Sequence, residues 1–261
     1  PATGADLSLT KELVQAAPLV KWTIQISKGE QFVDGDYWLR LEYNEPSFDV
    51  WGPGNLKSGV EIDRGWHQVA GRLTRGPNAW GPHLMEILVD GQVVATRVAS
   101  GTIDHSTAAL MLGAYLGNSC FYSGIMDEVR LSRRARGTEW LLTSWRQMTA
   151  PASFVTAGAE QPGSLTGYGY RMPLTVQGAQ VAGHLTNFPV LVSLTNAALG
   201  AHAALADGSD IVFTTALGSV LPFEIESFDA ASGRLVAWVS MPELHEGTNA
   251  EFLMHYGNAA A

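Results

Sequence analysis

Met85-Glu86-Ile87-Leu88-Val89-Asp90-Gly91-Gln92-Val93-Val94-Ala95-Thr96-Arg97-Val98 decides the fold class. Two apolar runs, Ile87-Leu88-Val89 and Val93-Val94-Ala95, flank Asp90-Gly91. Asp-Gly accepts the positive φ angles of a type I′ turn, so the stretch predicts a tight β-hairpin. Upstream, Trp22-Thr23-Ile24-Gln25-Ile26, Tyr37-Trp38-Leu39-Arg40-Leu41-Glu42-Tyr43 and Phe48-Asp49-Val50-Trp51 alternate apolar and polar residues. That period of two belongs to half-buried antiparallel strands. Gly52-Pro53-Gly54-Asn55 and Arg75-Gly76-Pro77-Asn78 punctuate them as turns. Short strands at this spacing predict an all-β chain built of sandwiches. Alternation puts Trp22, Trp66 and Trp238 on core faces.

One helix interrupts the pattern. Thr138 to Met148 carries Trp140, Leu141, Ser144, Trp145 and Met148 on one predicted face, with Gly137-Thr138 as stop and cap. Pro162 to Gly169 (Pro-Gly-Ser-Leu-Thr-Gly-Tyr-Gly) reads as a linker. Strand patterns resume at Tyr170–Val176 and continue through 190–194, 211–214, 220–228, 234–239 and 251–256. The expected organisation is a first sandwich over 1–160, a linker over 161–169, and a smaller antiparallel sandwich over 170–261.

Composition narrows the function classes. Of 261 residues, 46% are hydrophobic and 16% charged, a globular balance. The net charge of −9 argues against nucleic acid as a partner. No apolar run approaches the roughly 20 residues of a membrane span, so direct membrane insertion is not expected. Acidity concentrates at the end: residues 161–261 hold 8 acidic side chains against Arg171 and Arg234, with no lysine. The single Cys120 excludes an internal disulfide and a cysteine-rich metal site.

Gly65-Trp66-His67-Gln68-Val69-Ala70, the Leu88–Ala95 hairpin, Met111-Leu112-Gly113-Ala114 and Tyr122-Ser123-Gly124-Ile125-Met126-Asp127-Glu128-Val129-Arg130-Leu131 occur in this order. Together they resemble the signatures of laminin-G-like domains of the concanavalin A-like lectin/glucanase superfamily. The resemblance implies a jelly roll over about 1–160. It also implies further strands ahead of Pro1, so that upstream sequence or a neighbouring chain would complete the first sandwich by strand addition.

In the second half, Tyr170–Val176, Ala206-Asp207-Gly208-Ser209-Asp210-Ile211-Val212-Phe213, Leu221-Pro222-Phe223-Glu224-Ile225-Glu226, Trp238-Val239 and Tyr256-Gly257-Asn258 resemble a bacterial domain of unknown function. That domain accompanies laminin-G-like domains in surface proteins and in envelope proteins joined to a proton channel. The implied setting is extracytoplasmic.

Binding residues are expected among loop aromatics, which stack on sugar rings or fill partner pockets. These are Trp51, Trp80, Tyr115, Phe121 and Tyr122, with Asn118 in the same loop as Tyr115. The family resemblance also implies a calcium ion at the sandwich rim, for which Asp34, Asp36 and Asn118 offer hard oxygen ligands. Asp207-Gly208-Ser209-Asp210 looks similar but reads as a structural turn. Glu224 and Glu226, two apart on a strand, are the candidates for a glycosidase carboxylate pair, with Asp229 nearby; solvent-facing or turn-bonding roles compete. The seven histidines show no zinc-ligand spacing, and His67 reads as a satisfied sheet residue.

The expected function is a non-catalytic, extracytoplasmic binding or adhesion segment that recognises a glycan or surface polymer. An assembly unit engaging neighbouring chains by strand addition is the alternative, and a glycoside hydrolase the third reading.

Overall fold

The computed structural model of the chain describes residues 7–15, 23–28, 37–103, 107–114 and 120–261, with side chains from Ile26 onward. It divides into two compact units, Pro1–Leu141 and Leu142–Ala261.

The first unit holds two five-stranded sheets. Its strands are β1 (Leu7–Gln15), β2 (Thr23–Lys28), β3 (Tyr37–Glu42), β4 (Glu45–Val50), β5 (Gly54–Lys57), β6 (Trp66–Thr74), β7 (His83–Val89), β8 (Gln92–Ala99), β9 (Leu110–Leu112) and β10 (Val129–Ser132). One sheet runs β10-β1-β6-β7-β8 and the other β5-β4-β3-β2-β9. Every pairing is antiparallel. The β7–β8 turn takes the predicted form, with φ of 54° at Asp90 and 76° at Gly91. The β3–β4 turn has the same signs, 52° at Tyr43 and 66° at Asn44, without a glycine.

The core lies between the two sheets. Ile26, Leu39, Phe48 and Val50 from one sheet and Val69, Leu73, Met85 and Ile87 from the other are almost completely buried in one cluster. A methyl group placed on Gly71 of β6 would sit 2.5 Å from the Phe48 ring. Only glycine leaves room for that aromatic at the centre of the sandwich. On the opposite face of β6, Arg72 and Glu86 of β7 form a buried bidentate pair at 2.7 and 2.9 Å. Arg72 also donates to the Arg136 carbonyl at 2.6 Å.

Helix α1 (Thr138–Thr149) contains the division between the units, and α2 (Pro151–Phe154) follows it. The second unit adds β11 (Val155–Ala157), β12 (Gln161–Pro162), β13 (Tyr170–Val176), β14 (Leu185–Thr195), α3 (Ala197–His202), β15 (Val212–Thr215), β16 (Phe223–Asp229), β17 (Arg234–Leu244) and β18 (Ala250–Tyr256). One sheet runs β11-β13-β18-β15, with β12 also on β13, and the other β14-β17-β16. Met172, Leu174 and Val176 of β13, Val190 and Val192 of β14, and Leu235, Ala237 and Val239 of β17 alternate inward. Phe213 meets Phe223 edge-on at 5.3 Å, joining the two sheets.

Several expectations are corrected. Residues 161–169 are not a free linker. Gln161 and Pro162 pair with Arg171 and Tyr170, and Gly163 N–H donates to Gly169 O, closing a hairpin inside the second unit. The buried face of α1 holds Thr143, Ser144 and Gln147 beside Trp140 and Leu141, whereas Trp145 and Met148 are half-buried. Gln147 accepts from Leu191 N–H and donates to Pro189 O, both at 3.0 Å. The helix thus presents an amide to satisfy the edge of β14, a role apolar periodicity cannot reveal.

Trp66 is 40% exposed, because with Val69 and Leu73 of β6 turned into the core, strand parity sends Trp66 to the opposite face with Arg72. Trp238 stands on the outer face of β17 and its indole donates to Glu226 at 3.1 Å. With Ala237 and Val239 turned inward, strand parity sends Trp238 outward. Trp22 lies outside the described residues.

Candidate functional site

At one end of the first sandwich three connections converge: the β4–β5 turn with Trp51, the β6–β7 loop with Trp80, and the segment after β8. Glycine makes the approach feasible. A methyl group on Gly52 (φ +95°) would lie 2.1 Å from Thr102 O, and one on Gly101 (φ +145°) 2.3 Å from Gly52 C. The two backbones touch where neither could carry a side chain.

His83, fully buried at the start of β7, ties two of these segments together. Its Nδ1 accepts from Gly76 N–H at 3.1 Å, so Nε2 carries the proton and donates to Gly101 O at 2.9 Å. Gly101 N–H in turn donates to Trp80 O at 2.8 Å. The Asn78 side chain accepts from Trp80 N–H at 3.1 Å and Gly81 N–H at 3.0 Å. Trp80 is thus fixed through its backbone while its side chain stands 64% exposed. Trp51, which precedes Gly52 in the converging β4–β5 turn, is half-buried.

The staple makes its own prediction. His83→Phe keeps the ring but orphans Gly76 N–H and Gly101 O. It is expected to cost about 2–4 kcal/mol in urea denaturation. A loss under roughly 0.5 kcal/mol would remove His83 from this role.

The remaining aromatic candidates are elsewhere. Phe121 is 61% exposed in the connection from β9 to β10. Tyr122 packs against the sandwich core, its N–H donating to Gly113 O at 2.8 Å. Burial pushes its phenol up to about 12, so it stays protonated. Trp51 leads into β5 and Phe121 follows β9, the opposite edges of a five-stranded sheet. At about 4.8 Å per strand those edges are roughly 19 Å apart, too far for one sugar ring to touch both. Tyr115, Asn118, Asp34 and Asp36 lie outside the described residues.

The carboxylates named for catalysis, Glu224 and Glu226, both flank Trp238 on the outer face of the β16–β17 ladder. Glu224 stands opposite Trp238 in that ladder, and the β16 register shifts between Ile225 and Ser227, just past it. Glu226 accepts from Trp238. Asp229 accepts from Ala231 N–H at 3.0 Å and Ser232 Oγ at 2.6 Å, which holds its carboxyl below the usual range. Asp207 caps Ser209, and Asp210 is fully buried among backbone N–H donors.

His67 bridges Asp90 at 2.9 Å and Asp63 at 3.0 Å, as expected of a satisfied sheet residue. Burial lowers its pKa, but the two carboxylates outweigh burial and the net shift is upward. His184 and His245 were missed in the sequence: their rings stack at 4.5 Å. Only the β14–β17 register could have shown it.

Residues 14–141 match the family model described as the concanavalin A-like lectin/glucanases superfamily. Residues 207–261 match a model described as a domain of unknown function (DUF2341). No curated protein sequence matches the chain. Among solved structures, a Bacteroides ovatus protein provisionally classed as carbohydrate-binding aligns at 17% identity and a TM-score of 0.43, over 54% of this chain and 42% of its own. The CBM40 of the Ruminococcus gnavus IT-sialidase aligns at 13% identity and a TM-score of 0.43, over 54% of this chain and 82% of its own. Domain 4 of AbnA, a GH43 extracellular arabinanase from Geobacillus stearothermophilus solved with arabinotriose, aligns at 15% and 0.37, over 54% and 66%.

Proposed function

We propose that the chain, whose residues 14–141 match the concanavalin A-like lectin/glucanases superfamily model and 207–261 a domain of unknown function, is a non-catalytic, extracytoplasmic segment that binds a glycan at the Trp51–Trp80 rim. One observation carries the reading: Trp80 is 64% exposed although its backbone is held on both sides. Exposing an indole forgoes its burial, and fixing the loop costs conformational entropy. Both costs are offset when a flat sugar face stacks on the ring, because the aromatic is already positioned. The bonds that engage Glu226 with the Trp238 indole and Asp229 with its own turn support a non-catalytic reading over a glycosidase. Calcium at Asp34, Asp36 and Asn118 is proposed on the family resemblance alone.

The test is a glycan array probed with the full chain, with calcium and again with EDTA, comparing wild type and Trp80→Ala. Binding to a defined glycan class is expected, weakened about 10- to 100-fold by Trp80→Ala. The unfolding midpoint should not move, since the side chain packs little surface. Loss of the signal in EDTA would favour the calcium proposal. A silent array together with concentration-dependent self-association would replace glycan binding with the assembly role.

A further inference from the structure

We propose that His184, Glu243 and His245 form a surface site for a divalent first-row transition metal of the zinc class. The strand register brings them together. Leu185 pairs with Leu244 and Thr186 with Glu243, so continuing the ladder by one place sets His184 opposite His245. Leu185 and Leu244 are buried, 4% and 1% exposed. Parity therefore sends His184, Glu243 and His245 to the outer face together.

The three side chains are already neighbours. One ligand atom from each residue lies within 4.8 Å of the other two. His245 Nε2 is 3.6 Å from Glu243 Oε2, and the two imidazoles stack at 4.5 Å with 6° between their planes. Zinc–nitrogen and zinc–oxygen bonds of about 2.1 Å put tetrahedral ligands roughly 3.4 Å apart. Binding an ion would turn the two rings out of their parallel stack, so that their in-plane lone pairs converge on it. The backbone is anchored by the β14–β17 ladder and by a tight turn after His245, where Thr248 N–H donates to His245 O at 3.2 Å and Gly247 N–H to Gly178 O at 2.9 Å.

The donor set selects the metal. Two imidazoles and one carboxylate suit zinc, copper or nickel, whereas calcium takes six to eight oxygens. Three protein ligands on an open face leave a coordination position to water or an incoming group. The site lies in the second unit and shares no residue with the Trp51–Trp80 rim.

The test is calorimetric titration of the EDTA-treated, dialysed full chain with zinc chloride near neutral pH. Saturable zinc binding is expected, unaffected by millimolar calcium. His184→Ala/His245→Ala should weaken the site by at least about 100-fold, and Glu243→Gln by about tenfold. These side chains are exposed, so metal-free variants should melt with the wild type, while zinc raises the melting midpoint of the wild type alone. Absence of zinc binding by the wild type, or binding unchanged in the double variant, would overturn the proposal. Displacement by calcium would overturn the metal class.

Discussion

Asp210→Ala is expected to destabilise the second unit by about 3–5 kcal/mol, because it strips a fully buried carboxylate from four backbone donors. Asp210 accepts from Ala204 N–H at 2.8 Å, Leu205 N–H at 3.2 Å, Gly257 N–H at 2.8 Å and Asn258 N–H at 3.3 Å. Two of these lie after α3 and two just after β18, so one side chain joins segments more than fifty residues apart. Alanine leaves all four N–H groups without their acceptor. Asparagine keeps one oxygen but turns an NH2 toward donors, so Asp210→Asn should fall between wild type and alanine. Urea unfolding followed by circular dichroism measures both variants. A cost below about 1 kcal/mol for alanine would mean that water satisfies these donors instead.

Arg72→Met is expected to be comparably damaging in the first unit, again about 3–5 kcal/mol. Arg72 and Glu86 are each 8% exposed and bonded at two points. Removing the guanidinium strands a buried carboxylate, which costs far more than the pair contributes net. The double variant Arg72→Met/Glu86→Leu should therefore recover most of the loss, since apolar side chains of similar volume replace a desolvated ion pair at little cost. The same denaturation series closes the cycle. If the double variant were less stable than Arg72→Met, the stranded charge would not be the cause. The bonds from Arg72 to the Arg136 carbonyl and to Thr138 Oγ1 at 3.3 Å would then carry the effect.

Features set by neighbouring residues were legible in the sequence. Asp90-Gly91 announces its turn because glycine tolerates positive φ, and β3, β4, β13 and β17 follow from alternation. The family signatures supplied the order of the two domains, which both family models match. Features made by distant contacts were not legible. Tyr43-Asn44 forms the same kind of turn without glycine. The polar face of α1 makes sense only beside the β14 edge that Gln147 satisfies. The bulge between Ile225 and Ser227 is marked by no local pattern.

The candidate site divides in the same way. Trp80 stands out in sequence as an aromatic in a turn-rich loop. Its rigidity depends on His83 and on Gly52 and Gly101, whose partners lie in other loops. The five loop aromatics look equivalent in sequence. The sheet order separates Trp51 from Phe121, and core packing claims Tyr122.

That separation makes the central claim testable in one experiment. The strongest glycan from the array is titrated calorimetrically into wild type, Trp80→Ala and Phe121→Ala. Binding at the Trp51–Trp80 rim predicts a 10- to 100-fold loss, about the range for an aromatic hot spot, in Trp80→Ala and wild-type affinity in Phe121→Ala. Full affinity in Trp80→Ala with loss in Phe121→Ala would contradict it and move the site to the β9–β10 connection.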